Sequence, residues 1–121
     1  MYEIEYTPGP GFMRADVVGD LAAPDTRVEA WARMIRHCRA KAVTRLLVVQ
    51  DSPGNGNVAN AYLSSEGIAR LGLEGIRIAF VDLDPANLEV NQFGELVAAN
   101  RGADAKVFSE EGSALEWLLQ D

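Results

Sequence analysis

The 121-residue chain has one cysteine and one histidine, and the two are neighbours, Cys38 and His37. A lone cysteine excludes an internal disulfide and any CxxC-type metal site. Adjacent residues on a helix point about 100° apart, so His37 and Cys38 cannot act on each other as a nucleophile pair. A Ser-His-Asp triad would have to use His37, and no G-x-S-x-G elbow is present to display its serine. Basic residues are scarce too: 11 Lys and Arg stand against 18 Asp and Glu, a formal charge of −7. Affinity for nucleic acid depends on cations that neutralise phosphates, so the expectation is no nucleic-acid partner. The same argument counts against an anionic membrane surface. No apolar run approaches the eighteen or so residues of a membrane span, and "MYEIEYTPGPG" lacks the basic-then-apolar signal pattern. The reading is a cytoplasmic protein without membrane insertion. Prolines number only 5 and hydrophobic residues make up 48%, which describes a globular chain. Its length fits one domain, 1–121, with no room for separate catalytic and cofactor domains.

What is present is a regular alternation of elements. Tyr2 to Tyr6 alternates polar and apolar, "TPGPG" (Thr7 to Gly11) is turn chemistry, and "FMRADVV" resumes extended structure, so the opening predicts a β-hairpin. Thr26 with Glu29 has the spacing of a capping box, and Val28, Trp31, Ile35, Cys38 and Ala42 recur as one apolar stripe. "RLLVVQ" (Arg45 to Gln50) and "IRIAFVD" (Ile76 to Asp82) are apolar on consecutive positions, as strands buried on both faces are. Asp84-Pro85 supplies an N-cap and a first-turn proline for a helix expected to turn Leu88, Phe93, Leu96 and Val97 inward. That helix ends near Gly102. "AKVF" (Ala105 to Phe108) is a short last strand, and Ser109 is placed to cap a final helix. The order ββαβαβαβα predicts an α/β domain with a mixed, mostly parallel sheet of four or five strands and helices mainly on one face.

Four candidate sites follow. "GNGNVA" (Gly54, Asn55, Gly56, Asn57, Val58, Ala59) fits the looser G-x-G-x-x-A dinucleotide pattern, with Asp82 near the place of a ribose-binding acid. Asp51-Ser52-Pro53 separates it from the strand, however, and asparagines are common turn residues, so a turn-rich strand exit is the competing reading. Asp51, Asp82 and Asp84 lie at strand ends, where α/β sheets bind ligands and carboxylates hold Mg²⁺; Asp84 has a complete structural role as N-cap, and no metal is assigned. Cys38 falls on the apolar stripe and reads as a small buried hydrophobe. Ser64-Ser65 precede "EGIARL", where a hydroxyl caps a helix and a phosphate would meet the positive end of the dipole.

The phrases "MRADVVGDL", "RLLVVQD", "IRIAFVD", "FGELVAANRGADAKVF" and "SEEGSALEWLL" together resemble the STAS domain (sulfate transporter and anti-sigma-factor antagonist), in its stand-alone bacterial branch, over nearly the whole chain. The resemblance implies regulation, protein binding or ligand sensing, not catalysis, and no cofactor. It also implies that "LSSEGIARL" occupies the position of the family's phosphorylated D-S-S-G-L serine, so that Ser64, with Ser52 nearby, is the candidate switch. Leu63 in place of the aspartate and Glu66 before Gly67 depart from that motif. The leading expectation is a non-enzymatic module meeting a protein partner, or itself as a homodimer, around residues 51–66. Asp51, Gly54, Asn55, Gly56 and Asn57 would form the contacting loop. The alternatives are a small-molecule or lipid carrier with an apolar cavity, which Tyr62, Phe93 and Trp117 would line, and a nucleotide binder using the 54–59 loop.

Overall fold

A computed structural model describes residues 1–52, 66–68 and 70–120. Strand β1 (Tyr2–Gly9) and strand β2 (Phe12–Gly19) form the antiparallel hairpin, with pairing that continues from Tyr2↔Gly19 to Gly9↔Phe12. The connection is therefore only Pro10-Gly11, shorter than the expected turn. Pro10 followed by Gly11 at φ +81° is the residue pattern of a type II turn. Pro8 sits within β1 because β1 is an edge strand, where a missing N–H leaves no ladder bond unmade.

Helix α1 (Pro24–Ala40) leads to β3 (Arg45–Asp51), and β4 (Arg77–Asp82) is followed by a single 3-10 turn at Pro85–Asn87. Helix α2 (Leu88–Asn100), strand β5 (Asp104–Phe108) and helix α3 (Glu111–Leu118) complete the described elements, with residues 66–68 also helical. The sheet runs β1-β2-β3-β4-β5, and every pair after the hairpin is parallel. The domain is the expected α/β fold with a five-stranded mixed sheet. Among the described residues no helix is long and apolar enough to cross a membrane.

Strand alternation divides the core in two. On one face Met13, Ala15, Val17, Leu46, Val48 and Ile78 pack beneath Ala30, Met34, Ile35 and Cys38 of α1, together with Leu73 and Ile76. On the other, Leu47, Val49, Ala79 and Val81 meet Ala114 and Leu118 of α3. Both faces of β3 and β4 are thus covered, which explains their unbroken apolar runs. Burial of each such aliphatic side chain stabilises the fold by about 1.5–3 kcal/mol. On the α3 face, Trp117 lies 5.6 Å from Phe108 between ring centroids, and the Arg77 guanidinium stacks 3.9 Å over its indole. Edge strand β1 is held to α1 by side chains: the Tyr6 ring stacks on His37 at 3.7 Å, and the Tyr2 hydroxyl donates to Glu29 at 2.6 Å.

Several local expectations are corrected. The capping box of Thr26 and Glu29 does not form. Pro24 occupies the first helical turn, Ala23 is the N-cap without a side-chain bond, and Glu29 binds Tyr2 instead. The buried stripe of α1 is Arg27, Ala30, Met34, Ile35 and Cys38, while Ala42 is exposed at φ +55° beyond the helix. In α2 only Val97 is fully buried; Leu88 and Leu96 face outward, at 44% and 59% exposure. The N-cap of α3 is Glu110, not Ser109. Asp84 does cap as expected, accepting from Ala86 N at 3.0 Å, and Gly102 takes the left-handed conformation at φ +83°.

Candidate functional site

Five polar or charged residues are buried among the described residues: Arg27, Gln50, Ser52, Asp82 and Asn87. All gather at the C-terminal ends of β3 and β4 or on the chain that covers them. Gln50 and Asp82 are register partners on these neighbouring parallel strands, and both follow the alternation that puts Val48 and Ile78 toward α1.

Asp82 organises the far side. Its carboxylate accepts from the Asp84 backbone N–H at 2.9 Å and from Asn91 Nδ2 at 2.8 Å, so one side chain shapes the turn after β4 and anchors the first turn of α2. Arg27 enters from α1. Its Nε donates to the Leu21 carbonyl at 2.6 Å, and a second guanidinium nitrogen reaches the Ala22 carbonyl at 3.4 Å. Burial lowers the Arg27 pKa, and the nearby charge of Asp82 opposes that effect. Asn87 Nδ2 makes a long contact, 3.5 Å, to the Ser52 carbonyl, while Leu83 N donates to the Gln50 carbonyl at 2.9 Å. Residues 83–87 are thereby fastened to residues 50–52.

Beside this polar group lies a cavity of about 110 Å³, bounded by α1, α2 and the sheet. Trp31, Leu73, Ile78, Phe80, Val90 and Ala98 form most of its wall, and Arg27, Gln50 and Asn91 line it among the polar groups. Trp31 and Phe80 meet at 6.0 Å between centroids. The aromatic lining differs from expectation. Trp117 packs on the opposite face of the sheet, Phe93 does not line this cavity, and Tyr62 lies outside the described residues. The signal for the observed wall was the set Val90, Gly94 and Ala98, spaced by four along α2 with Asn91 beside them, which a search for large apolar residues passes over.

The other candidates are dispersed. Asp51 ends β3 and is exposed, whereas Asp82 and Asp84 are engaged by backbone and amide donors. Among the described residues no three Asp, Glu, His or Cys side chains converge as a metal site. Cys38 is fully buried in the α1 core, where burial pushes its thiol up to about 11; a thiol so placed is a poor nucleophile at neutral pH. Ser52 is also fully buried, and its hydroxyl has no hydrogen-bond partner among the described residues. Gly54, Asn55, Gly56, Asn57 and Ser64 lie outside the described residues. In doubly wound sheets nucleotides bind where strand order reverses; here the order of the described strands runs 1-2-3-4-5 without reversal. Comparison with family models and with curated proteins finds no match.

Proposed function

We propose that this domain is a non-catalytic, STAS-like regulatory module that meets a partner protein, or a second copy of itself, at the rim formed by the C-terminal ends of β3 and β4. The observation that carries this reading is the pair Leu83 and Leu88, 52% and 44% exposed, on a segment fastened to the start of the 51–66 stretch. Asp84 and Glu89 adjoin them in sequence, and Asp51 follows Gln50, the backbone partner of Leu83, so the rim combines exposed apolar side chains with acidic ones. Such a surface suits a partner with an apolar patch flanked by Lys or Arg. The engagement of Asp82 and Asp84 in holding the fold supports a binding role over a catalytic one. Ser64 is the switch residue of this reading, and phosphate there would add negative charge to an already acidic chain.

Native mass spectrometry of the protein purified from its own cells tests the proposal, with wild type compared against L83S/L88S. Wild type carries a stoichiometric second chain, and the variant loses it while keeping its melting temperature. A wild type that runs bare, or a variant that retains the second chain, refutes the rim as the contact.

The cavity favours a second reading, uptake of a small molecule between the helices and the sheet. Its volume suits a compact ligand rather than a whole lipid, since pockets for drug-sized molecules begin at about 300 Å³.

A further inference from the structure

Gln50 is the polar side chain at the cavity that the described residues leave without a hydrogen bond. Its carbonyl accepts from Leu83 N, but its side-chain amide makes no hydrogen bond among the described residues, although the residue is only 6% exposed and lines the cavity. An amide that the described residues leave without a partner keeps its donors and acceptor for whatever fills the cavity it borders. A ligand with one hydrogen-bonding group would use them.

We infer that the cavity binds a small neutral molecule, a single ring bearing one hydroxyl or amide group, with its polar end on the Gln50 amide. This rests on the reading of the cavity as a small-molecule site. Size sets the ring count: an engineered apolar cavity of about 150 Å³ takes up benzene, and this one measures about 110 Å³. Wall chemistry sets the class, because Trp31 and Phe80 offer flat aromatic surface while Leu73, Ile78, Val90 and Ala98 fill the remainder. Charge sets neutrality. Asp82 acts on Arg27, Glu95 and Lys106 both stand among the lining residues, and the Lys106 ammonium lies over the Phe108 ring, so cations and carboxylates balance in number and no net charge awaits an ionic ligand.

The test is a titration followed by amide-resolved NMR with three probes: phenol, benzene and benzoate. Phenol is expected to shift the Trp31 indole and Gln50 side-chain signals saturably, more tightly than benzene, with benzoate the weakest. Gln50→Leu should weaken phenol about fivefold to tenfold, the worth of one hydrogen bond, and leave benzene within about twofold. Ala98→Leu fills the wall and should abolish binding of phenol and benzene; Ala105→Val, on the β5 side, serves if the first variant lacks a folded spectrum. Equal affinity for phenol and benzene, or a phenol preference that survives Gln50→Leu, overturns the assigned polar contact while the cavity reading stands. No saturable shift from any probe, or binding that persists in a folded cavity-filled variant, overturns both.

Discussion

Gln50 and Asp82 occupy the same register on adjacent parallel strands, yet their side chains serve opposite ends. The Asp82 carboxylate holds the Asp84 backbone and the Asn91 amide, closing the turn after β4 and fixing the start of α2. The Gln50 amide makes no hydrogen bond among the described residues and lies against a cavity. One position stabilises the fold, and its neighbour is the one assigned above to a ligand.

Asp82→Asn is therefore expected to act on stability. It presents a donor where Asn91 already donates, and it removes the negative charge that offsets buried Arg27. A loss of about 2–4 kcal/mol follows from a broken charged hydrogen bond beside a buried cation. Urea unfolding measures it, and a change below about 0.5 kcal/mol would show that the carboxylate does not organise this end of the sheet.

Ser52 separates packing from modification. Its hydroxyl is buried without a partner among the described residues, so Ser52→Ala should leave stability unchanged or raise it by up to about 1 kcal/mol. Ser52→Asp places a charge in the same space and should cost several-fold more than any gain from the alanine. If thermal unfolding instead ranks the aspartate variant as stable as wild type, the residue is accessible enough to serve as a switch.

The Cys38 thiol gives the fold a pH dependence of known sign. Burial raises its pKa to about 11, above the value near 8.5 of an unfolded chain. Between those values the native state holds a proton that the unfolded state has lost, so this contribution is complete below about pH 8.5 and falls as pH rises toward 11. The Tyr2 and Tyr6 phenols, both also raised by burial, add the same sign above about pH 10. Stability measured from pH 8 to pH 10 should decline in wild type and decline less in Cys38→Ala. Equal slopes would remove Cys38 as the source.

Two glycines should respond in opposite directions. At Gly102, φ is +83° and a Cβ would meet nothing within 4 Å, so Gly102→Ala suffers only the backbone penalty, about 1–2 kcal/mol. Gly112 lies in α3 with open space around its Cβ and no positive φ, and Gly112→Ala should stabilise by about 0.5 kcal/mol through lower unfolded-chain entropy. Calorimetry that moves both melting temperatures the same way would contradict this assignment of conformations.

The sequence by itself determined the elements and their order, because each rests on local physics. Alternation in β1 and unbroken apolar runs in β3 and β4 report how many faces of a strand are buried, and Gly102 and Asp84 terminate or start segments by their own conformational limits. The faces of the helices were decided only by tertiary structure. The inward faces of α1 and α2 include Arg27, which is buried, and Asn91, which is half-buried, polar residues that hydrophobic periodicity discards; the Leu21 carbonyl and the Asp82 carboxylate lie opposite them. Likewise Thr26, Glu29 and Ser109 carry capping chemistry that went unused once Pro24 and Glu110 set the helix starts. The sequence also marks Gln50 only as the end of an apolar strand. That its amide borders a cavity depends on walls supplied by α1, β4 and α2, among them Trp31, Phe80 and Ala98, which local sequence does not bring together.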